Sequence, residues 1–245
     1  MANIDKSIYA AAITSIGGIM GYLGSKAASG AYQAIIANMP QHDIYIEAFL
    51  GTGAIFQKKP NARHSIGIEL DELTLSEFHT DSPIDLHNCD ALDFLKDFDF
   101  ERPEDTFIYA DPPYLPETRT SNKRYRKELS TDQHSELLNR FKALSEQGVK
   151  IMVSGYPSKL YDSLLKDWRT YEFNVMTRGG VRREKLWMNY EANSLYWSTY
   201  AGVNFTDRQR IKRKAARWAK NYQALDPKER QAVLAAMMEV EEIPR

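Results

Sequence analysis

The 245-residue sequence predicts a doubly wound α/β sheet of seven strands, the last one antiparallel, followed by a C-terminal helical hairpin. Three observations predict it. From residue 44 onward, short apolar runs alternate with segments of helical period. The first four runs end in a Gly-x-Gly turn, an acid, another acid and Asp111-Pro112-Pro113-Tyr114, and sheets of this kind place their chemistry at the carboxyl ends of strands. After Tyr200 the strand pattern stops and a basic helical stretch takes over.

The composition is that of an ordinary globular chain, 43% hydrophobic and 27% charged. The single cysteine, Cys89, excludes an internal disulfide framework, and no Cys/His group has the spacing of a zinc site. The apolar run Ile8–Ile13 is too short to span a bilayer, so the expectation is a cytoplasmic protein without membrane segment or metal. Net charge is −1, but its distribution is uneven. Residues 81–105 are acidic, whereas 119–127, 178–185 and 208–220 are basic, so one face suits a polyanion.

The elements follow in order. The stretch from Gly17 through Tyr22 to Lys26 is glycine-rich and leads into a helix expected over 27–39, which Pro40 stops. Its glycines let a ligand approach the backbone and Lys26 suits an anion; a flexible loop with a solvated lysine is the plainer reading. Ile44–Phe49 is the first strand, then Gly51-Thr52-Gly53 and a helix. This has the mechanics of a nucleotide-binding turn, but it lacks the third dinucleotide glycine and the Gly-Lys-Ser/Thr of a P-loop.

Ser65–Leu70 is the second strand, and Glu69 at its end is spaced to accept two ribose hydroxyls or, equally, to open the helix through Phe78 with Asp71 and Glu72. Residues 83–88 form a third strand. Asp90 follows as a helix N-cap, or as a carboxylate offered to a bound adenine. Thr106–Ala110 is the fourth strand. Two prolines cannot donate ladder hydrogen bonds, so it stops there and presents Asp111 on a stiff turn.

Residues 115–129 then form an exposed basic loop with Arg119, Lys123, Arg124, Arg126 and Lys127. Ser130 and Gln133 make a capping box for a helix ending near Gly148. Strand five is Val149–Ser154, a helix covers 158–168, and strands six and seven are Tyr171–Met176 and Lys185–Asn189. A second basic loop, 177–184, with Arg182 and Arg183, joins those two as a hairpin. Residues 1–202 are thus one unit. Residues 203–245 form an extension of two helices, 207–219 and 226–238, packed by Trp218, Leu225, Val233, Leu234 and Met237. The seven basic residues of the first suit either solvent or DNA.

Taken jointly, these motifs resemble the Dam-like DNA adenine methyltransferases, notably the small phage-encoded forms. The resemblance rests on Tyr22-Leu23-Gly24-Ser25-Lys26, on Glu47 through Gly53, on Glu69 and Asp90, and on Asp111-Pro112-Pro113-Tyr114, with weaker support from Ser154-Gly155-Tyr156 and Leu186–Tyr190. It implies a Rossmann-like methyltransferase sheet, S-adenosylmethionine as cofactor and the N6 amine of adenine in DNA as acceptor. By position it implies that Tyr22 and Lys26 hold the methionine end and that Glu47, Phe49, Gly51 and Gly53 shape the cofactor pocket. Glu69 would then take the ribose, Asp90 the cofactor's adenine, and Asp111 with Pro112, Pro113 and Tyr114 the reacting base.

The residue types suit that chemistry. Adenine's amine is a poor nucleophile because its lone pair is delocalised. Asp111 and the Pro112 carbonyl accept its N–H bonds and free that pair for in-line attack on a methyl group. Alignment of reactants is worth on the order of 7–11 kcal/mol. The base must leave the duplex, and Tyr114 offers a ring to stack on, worth roughly 1–3 kcal/mol.

Two departures from the family stand out. Gly-Gly-Lys is Gly24-Ser25-Lys26 here, and only Ala91–Ala110 separates the third acid from the tetrapeptide, where larger Dam enzymes carry a recognition insert. Base choice then falls to the basic segments 115–129 and 178–185, or is relaxed. The resemblance further implies a monomer or weak dimer in a bacterial or phage-infected cell, in a restriction-modification setting. Methylation of cytosine N4 or of RNA, and a non-catalytic DNA-binding partner, are the alternatives.

Overall fold

The computed structural model describes residues 26, 30–115, 126–177, 180–192, 201–202 and 204–242. Tyr22, Arg119, Lys123 and Arg124 lie outside the described residues. The chain divides into two compact units, 1–32 with 42–191 and 33–41 with 192–245.

The first unit is built on seven strands: β1 (Ile44–Glu47), β2 (His64–Ile68), β3 (Asp85–His87), β4 (Thr106–Ala110), β5 (Lys150–Gly155), β6 (Arg169–Thr177) and β7 (Gly180–Met188). They form one sheet in the order β3-β2-β1-β4-β5-β7-β6. The pairings from β3 to β5 are parallel, and β7 runs antiparallel to both β5 and β6. The expected architecture, including the antiparallel last strand, is therefore present. The order reverses at β1, with β2 on one side and β4 on the other. Open sheets bind ligands outside the carboxyl ends of strands at such a reversal.

Strand β4 is buried at every position, because helices cover both faces of a parallel sheet. Helices α2 (Glu72–Ser76), α3 (Ala91–Asp97), α4 (Thr131–Glu146) and α5 (Lys159–Leu164) connect the strands. Helix α1 (Ala31–Ala37) precedes β1. The Ser130–Gln133 capping box forms as expected, with Ser130 Oγ accepting from Gln133 N at 3.2 Å and Gln133 Oε1 from Ser130 N at 2.9 Å. The core brings Leu137, Leu138, Phe141 and Leu144 of α4 together with Ile46, Ile108, Ile151 and Trp187 of the sheet.

Three expectations are corrected. No α-helix follows Gly53; the six residues to Lys59 make turns, with Gln57 N bonded to Gly53 O at 2.9 Å and Lys59 N to Ile55 O at 3.0 Å. Pro60 leaves too little chain for a helix. The basic segment 177–184 is mostly strand, because β7 starts at Gly180 and pairs with β6 along its whole length. In the second unit, α6 (Phe205–Gln223) and α7 (Pro227–Glu242) are longer than expected, and Tyr222 OH donates to Arg230 O at 3.1 Å. Trp218, Leu234 and Met237 do not pack the pair together: they remain 54%, 50% and 44% exposed.

Candidate active site

The carboxyl ends of β1, β2, β4 and β5 and the first half of β7 converge on one edge of the first unit. Asp111 follows β4 directly, with its side chain 16% exposed. Pro112 and Tyr114 are buried behind it. Ser154 of β5, next to Asp111 through the register that pairs Ala110 with Val153, donates to Asp111 Oδ1 at 2.9 Å. Tyr109 OH and Ser154 Oγ lie 2.9 Å apart.

Lys26 is 5% exposed, and its ammonium sits 2.9 Å from Asp111 Oδ1 and 3.2 Å from Glu184 Oε2. It also bonds the Tyr114 hydroxyl and lies 4.7 Å from the centroid of that ring. Tyr114 OH in turn donates to Glu184 Oε1 at 3.1 Å. The ring of Tyr114 packs on Tyr156 at 4.3 Å between centroids, and the Arg182 guanidinium stands 5.8 Å from the Tyr156 ring.

Two buried carboxylates thus share one ammonium. Burial pushes the Asp111 and Glu184 carboxyls above their ordinary range, and Lys26 offsets only part of that push. Burial alone would lower the Lys26 pKa, but the two carboxylates outweigh it and the ammonium is held protonated.

One strand over, Gly51 and Gly53 take left-handed backbone angles, φ +53° and +64°. Glu69, 8% exposed, accepts from Gly51 N through Oε2 and from Asp71 N through Oε1, both at 2.8 Å. Asn88 Nδ2 donates to Glu69 O at 2.8 Å, tying β3's end to β2's. Asp90 caps α3, and both capping bonds go to Oδ1, from Leu92 N at 2.8 Å and Asp93 N at 3.3 Å. Cys89 beside it is half-buried, with its thiol raised by burial and by Asp90 and Asp93. Phe49 packs partly buried against the core.

Glu47 is placed differently from its neighbours in the motif. It is 2% exposed, accepts from Tyr45 OH at 2.8 Å, and burial pushes its carboxyl up to about 8. Lys59, 5% exposed, stands 4.1 Å from the Tyr45 ring centroid, and burial pulls its ammonium down to about 8.

Of the basic residues expected to meet DNA, Arg126 pairs with Asp71 Oδ2 at 3.0 Å and Arg183 with Glu172 Oε2 at 3.5 Å. Lys127 is exposed. Glu184 is the residue that sequence reasoning missed. Its one signal is that it is the only acid in the basic run Arg178–Lys185. Ser154 carries only a weak motif match in the sequence, which gives it no role. Lys26, assigned by resemblance to the cofactor's methionine end, contacts the Asp111 cluster. Among the described residues there is no group of His, Cys, Asp and Glu side chains suited to a metal ion, and no helix is long and apolar enough to cross a membrane.

A sheet of this order, with a glycine turn after β1 and a carboxylate after β4, belongs to the Rossmann-like α/β class. Within that class, residues 68–183 match the family model of the D12 class N6 adenine-specific DNA methyltransferases, so the Dam-like resemblance carried by the motifs holds over that span. A type II methyltransferase of Lactococcus lactis subsp. cremoris is 29% identical over 111 residues, 44% of this chain. The chain spans 38% of the length of that relative. Among solved structures, the precorrin-8w decarboxylase of Methanobacterium thermoautotrophicum superposes with a TM-score of 0.45 at 14% identity, over 69% of this chain and 97% of its own. The N-methyltransferase NodS of Bradyrhizobium japonicum gives 0.45 at 9% identity, over 65% and 93%.

Proposed function

We propose that this chain transfers a methyl group from S-adenosylmethionine to the N6 amine of adenine in DNA, acting on a base flipped out of the duplex. The observation that carries this reading is the Asp111 carboxylate, held by Ser154 and Lys26 at the end of β4, one strand from the Gly51–Gly53 turn. The D12 family match over residues 68–183 supports adenine rather than cytosine or RNA as the acceptor.

The donor set fits the cofactor. The Gly51–Gly53 turn and Phe49 would border it, the outward lone pairs of Glu69 suit ribose hydroxyls, and Asp90 Oδ2 is left over by the helix cap for an exocyclic amine. Tyr22 would close the methionine end. When bound, the cofactor supplies an electrophilic methyl group on a cationic sulfur.

The protein's own residues act on the amine. Asp111 and the Pro112 carbonyl accept its two N–H bonds and draw the nitrogen towards tetrahedral geometry, so that its lone pair is free for in-line attack. As the new N–C bond forms, the methyl group's bond to sulfur would break, with its electron pair staying on the departing neutral thioether. The positive charge then lies on the nitrogen, and Asp111 stabilises it until the amine proton passes to solvent. Tyr114 and Tyr156 provide the aromatic wall. Arg119, Lys123, Arg124, Arg126, Lys127, Arg182 and Arg183 would meet phosphates, with 1–202 as the catalytic unit, 203–245 as an appended helical region, and a monomer or weak dimer as the working form in the cytoplasm.

The test is methyl incorporation into adenine-containing DNA by the full chain, with the modified nucleoside identified by mass after digestion. N6-methyl-2′-deoxyadenosine made by the wild type and lost in Asp111→Ala is expected. A fully active Asp111→Ala, or a product modified only at cytosine, would overturn the reading.

A further inference from the structure

We infer that Glu184 is a positioning residue of the methyl-transfer site, keeping Asp111 available to the target amine by sharing the Lys26 ammonium and anchoring the Tyr114 hydroxyl. This rests on the adenine-methylation reading above.

The geometry is specific. Glu184 comes from β7, in a register that pairs it with Phe173 of β6, and it is 5% exposed. Its two oxygens divide the work. Oε1 accepts from Tyr114 OH at 3.1 Å, and Oε2 lies 3.2 Å from Lys26 Nζ. No step of the proposed chemistry uses this carboxylate, yet a buried acid is costly unless it is paired.

Charge counting gives it a purpose. With Asp111 alone, Lys26 would form a neutral ion pair, and Asp111 would be a weak acceptor for an amine. When both carboxylates are ionised, Glu184 brings the cluster to a net charge of −1. That charge opposes the positive charge that develops on the adenine nitrogen during transfer, and fixed charges in a desolvated site act strongly there. Both Lys26 and Ser154 bond Asp111 through Oδ1, which leaves Oδ2 for the amine. The Asp111 side chain is 16% exposed, against 5% for Lys26 and 6% for Glu184, so Asp111 is the outward member of the three.

The same arrangement holds the ring of Tyr114. Its hydroxyl is fixed by Glu184 and its face by Tyr156 at 4.3 Å, so the wall against which a flipped base would rest is set before the base arrives. Sequence reasoning assigns Glu184 no role because it sits inside a run otherwise read as phosphate-binding.

The test uses the full chain with Glu184→Gln, which keeps the shape and removes the charge, together with Glu184→Asp and Tyr114→Phe. Rates of DNA methylation are measured against pH, with KM for DNA and for S-adenosylmethionine and with thermal unfolding. Glu184→Gln is expected to lower kcat about 10- to 100-fold, with both KM values within about threefold. It should also move the acid limb of the kcat profile to lower pH. That limb belongs to the carboxylate pair, and removing one negative charge lets Asp111 ionise more readily. The groups facing Asp111 besides Glu184 are Lys26, Ser154, Glu47, Tyr109 and Tyr161, and these are unchanged in the variant. Glu184→Asp should recover part of the rate, and Tyr114→Phe should lose only the anchoring part.

Unchanged kcat in Glu184→Gln, or an unshifted acid limb, would overturn the inference. So would a loss of kcat that tracks a matching loss of thermal stability in all three variants, which a purely structural role would give. A wild type that methylates no adenine in the same assay would overturn the underlying function, and an active wild type with an indifferent Glu184→Gln would overturn this inference alone.

Discussion

Gly51 N donates to Glu69 Oε2 at 2.8 Å, which ties the glycine turn after β1 to the end of the neighbouring strand β2. Because Asp71 N uses the other oxygen, both halves of the carboxylate serve backbone N–H groups, one buried and one partly buried. In Glu69→Gln only one oxygen remains, so one of these N–H groups loses its acceptor. The expected cost is about 1–3 kcal/mol in urea unfolding, with S-adenosylmethionine binding weakened in calorimetry. An unfolding midpoint equal to wild type would contradict it.

Gly53 makes a separate prediction. Its φ is +64°, and a Cβ built there would come within 2.2 Å of Phe78 Cε2. Gly53→Ala should therefore destabilise the protein by about 1–3 kcal/mol through backbone strain and the displaced ring. Phe78→Leu in the same background should restore part of the loss, as measured by denaturant unfolding, because the leucine retreats from the new methyl group.

Asp111→Asn keeps the size of the side chain and removes its charge. Methyl transfer is expected to fall by about 100-fold or more in kcat, with cofactor affinity changed far less. Separate single-turnover and equilibrium-binding measurements distinguish these effects. Parallel losses in both would place Asp111 in binding rather than in the chemical step.

Glu47 and Lys59 give stability an unusual pH dependence. The folded Glu47 carboxyl is raised from 4.5 to about 8 by burial, so the folded state holds more protons than the unfolded state in that interval. Stability contributed by this group is full below pH 4.5 and falls as pH rises to 8. Lys59 is lowered from 10.5 to about 8, so here the unfolded state holds more protons, and stability rises again from pH 8 to 10.5. Glu47→Gln should flatten the fall between about pH 5 and 8, by on the order of a few kcal/mol, in urea titrations across that range. A slope identical to wild type would show that Glu47 is not the group responsible.

Arg182 and Arg183 lie on the outer half of β7, whereas Glu184 beyond them is buried. Their substitution by Ala should weaken DNA binding without altering the rate on bound DNA. For every phosphate partner removed, the slope of log affinity against log salt should become shallower by about 1. An unchanged slope in fluorescence-anisotropy titrations would remove this strand from the DNA interface. The same measurement on Arg213→Ala and Lys214→Ala tests whether α6 faces DNA.

Local signals are the legible ones. Thr106–Ala110 is a strand with the expected bounds, because a continuous apolar run closed by two prolines admits little else. The Ser130–Gln133 box marks the start of α4 for the same kind of reason. The extent of β7 is not legible: its first half is polar and basic, and pairing with β6 decides its conformation. The apolar side chains of α6 and α7 read as a packed hairpin from spacing, yet Trp218 and Leu234 face solvent. At the site, strand-end carboxylates are visible one by one. The sharing of Lys26 between Asp111 and Glu184 is not, because it depends on side chains that meet only across the assembled sheet.

That sharing has a consequence for how the protein is made. Lys26 and Glu184 are 158 residues apart in the chain. At roughly 5–20 residues per second on the ribosome, the ammonium waits about 8–30 s for its second carboxylate. During that interval β1, β2 and β4 can already pair, while the Asp111 cluster still lacks a member supplied by β7. The Asp111–Lys26–Glu184 cluster is thus one of the last features that a nascent chain completes, later than most of the sheet on which it stands.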